Sequence, residues 1–160
     1  VLEQHRPDDG VLSEEAADNP ARLAKDRVWI IDPLDGTKEF ATGRQDWAVH
    51  IALVEHGTPI VAAVGLPDLG VVFASDDVKA VSGPLSRKIV ISHNQPPEVA
   101  KFVANKMNFE TTLMGSAGAK AMHVLLPTST PVDSTNGIPR PLLVCAPQLA
   151  CTAAVSMAAA

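Results

Sequence analysis

Only two cysteines occur in the 160 residues, Cys145 and Cys151. They lack a CxxC spacing and no histidine cluster accompanies them. A zinc site and a disulfide framework are thereby excluded, and reduced thiols in a cytoplasmic setting are expected. Basic residues are also outnumbered: 13 Lys and Arg face 18 Asp and Glu, for a formal net charge of −5. That balance excludes a nucleic-acid groove and favours carboxylates gathered around a cation. The chain begins at Val1 rather than Met, and Leu2-Glu3-Gln4-His5-Arg6 is no signal peptide. A preceding segment is expected to be missing. What is present, 46% hydrophobic, suffices for one domain with a sizeable core.

The chain is organised around Val28-Trp29-Ile30-Ile31-Asp32-Pro33-Leu34-Asp35-Gly36-Thr37-Lys38-Glu39-Phe40. Four apolar residues running into an aspartate read as a buried strand that delivers a carboxylate at its end. Pro33 fixes its own φ and keeps Asp32 out of the helical region, which predicts a turn there. Asp35 follows closely, with the Leu34 carbonyl between the two carboxylates. Two carboxylates and a backbone oxygen suit a hard divalent cation such as Mg2+. Gly36 permits close backbone approach, and the N–H groups of Gly36 and Thr37 are available to an anion. The plainer alternative is a polar turn, since Asp-Pro and Asp-Gly are ordinary turn dipeptides.

Two further motifs decide between them. Val11-Leu12-Ser13-Glu14-Glu15 places adjacent carboxylates after a short apolar step, and Gly115-Ser116-Ala117-Gly118 opens a helix whose first N–H groups suit a phosphate. In this order and spacing the motifs resemble the inositol monophosphatase superfamily, over about residues 8 to 126. Lys38-Glu39-Phe40 resembles its CysQ-type branch, the bisphosphate nucleotidases that hydrolyse 3'-phosphoadenosine 5'-phosphate. The resemblance implies a Mg2+-dependent phosphatase holding two or three ions. Asp32 would bridge two of them, Glu14 and the Leu34 carbonyl would hold one, and Asp35 the other. Thr37 would orient the attacking water, the N–H groups of Gly36 and Thr37 would hold the phosphate, and Ser116 is a weaker substrate-side candidate. Glu15 reads as a solvated charge. An inositol-1-phosphate or fructose-1,6-bisphosphate phosphatase with the same metal core is an alternative, and a non-catalytic remnant is another.

The expected fold is α/β, an α+β layered sandwich of the sugar-phosphatase type that is incomplete here. Strands are predicted at 11–12, 28–32, 47–54, 59–66 and 71–74, the last three forming an antiparallel meander with 28–32 beside it. His50 in a strand and His56 in a turn read as structural. Residues 76–87 read as a linker. Beyond it come a strand at 88–92, an amphipathic helix with Val99, Phe102 and Val103 on its apolar face, a strand at 111–114 and a helix at 116–126. That last helix is apolar nearly all round and should be buried. Residues 1–82 form the expected metal-binding part and 83–126 the start of a C-terminal α/β part.

Residues 127–160 differ in kind, with Asp133 and Arg140 their only charges. The stretch 142–160 is uncharged, but Pro147, Gln148 and a composition dominated by Ala weigh against a membrane span. The family's Asp-x-Asp-Ala and Trp-Asp-Ser motifs, the latter with a further metal-binding Asp, are absent. Shifting the reading frame by two bases permits both, so 127–160 is expected to be a frameshifted, non-native tail. The codons AAU at Asn136, GGG at Gly137 and AUU at Ile138 would confirm this, and AAC at Asn136 would refute it. Lacking the family's later strands, the 88–126 unit would expose its apolar helix and a sheet edge, favouring self-association.

Overall fold

The computed structural model describes residues 1–76 and 87–125 and the backbone of 143–145. Residues 77–86 of the linker expected at 76–87, the last residue of the helix expected at 116–126 and most of the tail lie outside the described residues. A short helix α1 (Leu2–His5) precedes β1 (Gly10–Ser13), and a 3-10 turn at Pro20–Ala24 leads to β2 (Arg27–Asp35). After α2 (Thr37–Ala41) come β3 (Ala48–Glu55), β4 (Thr58–Leu66) and β5 (Val71–Ala74). The second unit contains β6 (Lys88–Ser92), α3 (Glu98–Met107), β7 (Glu110–Met114), α4 (Ala117–His123) and β8 (Leu143–Cys145).

The first sheet has the order β1-β2-β3-β4-β5, with β1 parallel to β2 and the remaining pairs antiparallel. The meander and its neighbour at 28–32 are therefore where the alternation of turns and β-rich runs puts them. The β3–β4 hairpin closes through His56 and Gly57 at φ 47 and 78, the positive pair that a two-residue turn needs to match strand twist. In the second sheet β6 lies between β7 and β8, parallel to both.

Three expectations need correction. The chain does not turn at Pro33: β2 continues to Asp35, with its pairing to β3 irregular between Asp32 and Asp35. Pro33 is tolerated because it falls in that bulge, where its missing N–H interrupts no ladder bond. The apolar face of α3 is also rotated from the one expected. Ala100 and Ala104 pack on Ile89 and Ile91, with Val103 beside them, while Val99 and Phe102 are exposed. Overlapping stripes share the same helical spacing, and the alanines bring the helix closest to the sheet. Finally, α4 is not left exposed. Ala119 joins Ala48 and Leu66 of the first sheet and Val90 and Met114 of the second in one core cluster. Through these contacts α4 anchors the two sheets to each other.

Candidate metal centre

Strand direction brings the carboxylates together. Because β1 and β2 are parallel, Ser13 lies opposite Ile31, and Glu14 and Asp32 emerge side by side at the same end of the sheet. The Glu14 N–H donates to the Ile31 carbonyl at 3.3 Å, extending the pairing by one bond. From the other side antiparallel β3 places His50 opposite Asp32, and opposed residues share a face. The bulge then returns Asp35 to the same place. Ligand atoms of Asp32, Asp35 and His50 all lie within 4.8 Å of one another.

The carboxylates are held differently. Asp35 Oδ2 accepts from Ser116 Oγ at 2.7 Å and from the Gly118 N–H at 2.7 Å, with His50 Nε2 at 2.9 Å. Among the described residues its Oδ1 accepts a single longer bond, 3.3 Å, from the Ala117 N–H. Burial pushes the Asp35 carboxyl up, but His50, Gly118 and Ser116 together outweigh it and bring the pKa down to about 2. Glu14 is exposed, and its carboxyl is pushed up by the charge of Asp32 first, then by partial desolvation and a carboxyl–carboxyl hydrogen bond with Asp32. Asp32 Oδ1 accepts from the Leu34 N–H at 3.0 Å. Thr37 is exposed at the start of α2, and its hydroxyl donates to the Leu34 carbonyl at 3.3 Å. Gly36 caps α2 with φ 99, a conformation natural to glycine.

Glu14, Asp32, Asp35 and the Leu34–Thr37 turn thus converge. Ser116 joins them, with different partners from those expected. Its hydroxyl donates to Asp35 and accepts from the Ala119 N–H at 2.9 Å, and the N–H groups of Ala117 and Gly118 are taken by Asp35. The anion on the first turn of α4 is the protein's own carboxylate rather than a phosphate.

His50 reads as structural in the sequence, yet it belongs to this cluster; the available signal was a lone polar residue in an apolar strand. Glu39, Asp46 and Lys120 were also missed. Glu39 is buried and accepts from Asn94 Nδ2 at 2.9 Å, tying α2 to the β6–α3 turn. Asp46 pairs with Arg44 and accepts from the Gly115 N–H. Lys120 is buried, and that burial pushes its ammonium down against the pull of Asp35, Glu39 and Asp46. Two glycines of the β7–α4 turn are needed for packing. A Cβ on Gly115 would lie 2.1 Å from Glu39 Cγ, and one on Gly118 would lie 2.3 Å from His50 Nε2.

The donor set fits a hard divalent cation. It is rich in oxygen, every influence on Glu14 disfavours its charged form, and Asp35 Oδ1 carries a single long bond. Uncompensated carboxylates and a spare lone pair are what such an ion would satisfy.

The inositol monophosphatase family profile matches residues 1–130. Over 135 residues the chain is 49% identical to the 3'-phosphoadenosine 5'-phosphate phosphatase of Mycobacterium bovis, covering 78% of this chain and 51% of that protein. The 3'(2'),5'-bisphosphate nucleotidase CysQ of Escherichia coli is 33% identical over 127 residues, covering 69% of this chain and 51% of its own length. The chain therefore spans about half the length of the curated relatives it matches. Among solved structures, an inositol monophosphatase/NADP phosphatase complexed with Mg2+ and phosphate superposes with a TM-score of 0.58 at 19% identity, covering 77% of this chain and 52% of that one. The suhB protein of Bartonella henselae gives 0.59 at 24% identity, over 78% and 57%. These likenesses confirm the layered α/β fold. The chain belongs to the inositol monophosphatase family.

Proposed function

We propose that the chain carries the cation-binding half of a Mg2+-dependent phosphomonoesterase that hydrolyses 3'-phosphoadenosine 5'-phosphate to AMP and phosphate. The observation that carries this reading is the 49% identity over 135 residues to a phosphatase of that name, beside a family match over residues 1–130 that includes every residue of the carboxylate cluster. Glu14, Asp32, Asp35 and the Leu34 carbonyl would hold the cations. Bound there, Mg2+ supplies positive charge opposite the phosphate oxygens and makes water more acidic. The chain's own groups do the rest. The Thr37 hydroxyl, tethered to the Leu34 carbonyl, orients the attacking water, and the N–H groups of Gly36 and Thr37 hold the phosphate. No covalent nucleophile is required, because water attacks and the AMP oxygen leaves with a proton.

Residues 1–82 form the metal-binding part in this reading, 83–126 begin the C-terminal part, and the setting is cytoplasmic. Among the described residues no helix is long and apolar enough to cross a membrane. Exposed Val99, Phe102 and Leu113 support self-association through the second unit.

The test is phosphate release by the purified full chain, with and without Mg2+, from 3'-phosphoadenosine 5'-phosphate, inositol 1-phosphate and fructose 1,6-bisphosphate. Mg2+-dependent preference for the nucleotide is expected. Preference for either sugar phosphate would move the substrate within the family. Cation binding with no turnover of any of the three would indicate a non-catalytic remnant.

A further inference from the structure

The turn between β7 and α4 touches the carboxylate cluster through Asp35 and His50, and its polar backbone atoms are engaged one by one. Its N–H groups face two carboxylates. That of Gly115 donates to Asp46 at 2.5 Å, and those of Ala117 and Gly118 donate to Asp35. Its carbonyls face one cation. Lys120 Nζ lies 3.5, 2.8 and 2.6 Å from the carbonyl oxygens of Met114, Gly115 and Ser116. Three ammonium protons thus meet three consecutive carbonyls, in a side chain only 4% exposed. Between them Ser116 has φ 38 and ψ 134, a strained backbone for a residue with a side chain. Such a conformation persists only where its surroundings over-determine it, and Lys120 makes its shortest bond to that residue's carbonyl.

We propose that Lys120 is a positioning residue for the cation site. By gathering the carbonyls of residues 114–116 it holds the turn in the one form that aims the Ser116 hydroxyl and the N–H groups of Ala117 and Gly118 at Asp35. Lys120 touches neither cation nor substrate; it acts through the turn, and the turn fixes the rotamer of Asp35. The inference rests on Asp35 being a cation ligand, as proposed above. A buried lysine serving only the core has a simpler alternative, an apolar side chain of similar length, since desolvating an ammonium is costly. Lys120 instead supplies a donor to the Gly115 carbonyl and a second one to those of Met114 and Ser116, which also accept from the His93 and Lys120 N–H groups.

The experiment is calorimetric titration of Mg2+ into the full chain, its Lys120→Met and Ser116→Ala variants and the double variant, with thermal unfolding of each. Loss of the groups that orient a ligand typically weakens metal binding by about ten- to a hundred-fold. The Mg2+ Kd of Lys120→Met is expected to rise within that range, and that of Ser116→Ala by less. The double variant should lose less than the product of the two factors, because both act through one turn. A lower melting temperature with an unchanged Kd, or factors that simply multiply, would overturn the proposal. Absence of Mg2+ binding in the unmodified chain would instead defeat the cation reading on which it rests. If Lys120→Met does not fold, hydrogen exchange in the unmodified metal-free chain decides. The amides of Ala117 and Gly118 are expected to be protected, and free exchange at both would overturn the proposal.

Discussion

Asp35 and Glu14 carry the same charge at the same end of one sheet, yet the protein treats them oppositely. On the α4 side, Asp35 is surrounded by donors and its carboxyl titrates at about 2. On the β1 side, Glu14 faces Asp32 across parallel strands and is pushed up by that neighbour's charge. The first carboxylate is neutralised by hydrogen bonds built into the fold. The second pair is left in mutual repulsion, which a cation would relieve and no described side chain does. The fold therefore prepares half the site with its own groups and leaves the other half dependent on a ligand.

The largest effect is expected at the residue the two halves share. Asp32→Asn removes the carboxylate that contacts Glu14 and lies within reach of Asp35 and His50. Calorimetry should show Mg2+ affinity reduced by about a hundred-fold or more. A loss below about threefold would assign the shared role elsewhere. Next comes the α4 side itself. Gly118→Ala drives a Cβ to 2.3 Å from His50 Nε2 and 3.0 Å from Ala48 Cβ, in a packed region. Overpacking of this kind costs about 1–3 kcal/mol, so the melting temperature should fall by several degrees. An unchanged transition would show that His50 does not hold the place against Asp35 described here.

Smaller effects distinguish the sides by sign. Glu14 has a raised folded-state pKa, so its ionised form opposes folding above the unfolded value. Glu14→Gln should leave the metal-free protein equally or slightly more stable near neutral pH while weakening Mg2+ binding. Destabilisation of the metal-free form would contradict the repulsion. Asp46 behaves conversely. Burial pushes its carboxyl up, but the bonds from Arg44 and the Gly115 N–H outweigh that and hold it low. Its contribution is present above the unfolded pKa, near 3.9, and is lost as pH falls through the lower folded value. Acid unfolding of Asp46→Asn should accordingly be less steep below about pH 4 than that of the unmodified chain.

The sequence makes legible whatever depends on local order. The apolar run ending at Asp32, the His56-Gly57 turn and the strand–helix–strand–helix succession after residue 87 all appear where pattern and turn chemistry place them. Glu14, Asp32 and Asp35 also come close together, each carried by a short motif in or beside β1 and β2. The missed residues depend on pairing between distant segments. His50 enters the site through an antiparallel register, and Lys120 comes within electrostatic reach of Glu39 and Asp46 once α4 docks on the sheets. The glycines at 115 and 118 were visible, but the close approach of Glu39 and His50 that requires them was not. The helix start resembled a phosphate site because helix N-termini attract any anion, and the sequence does not say that Asp35 is that anion. On α3, Val99 and Phe102 looked like the buried face because bulk suggests burial, whereas the sheet accepts the smaller Ala100 and Ala104.

The contrast between the two carboxylates is tested most directly by following the side-chain carboxyl carbons of Asp35 and Glu14 by NMR, through a pH titration of the metal-free full chain. Asp35 is expected to titrate at about 2, and Glu14 above the ordinary glutamate value near 4.3. Saturating Mg2+ should then bring the Glu14 transition down while Asp35 stays low. Ordinary values for both groups, or a Glu14 transition that ignores Mg2+, would contradict a site half satisfied by the protein and half by a cation.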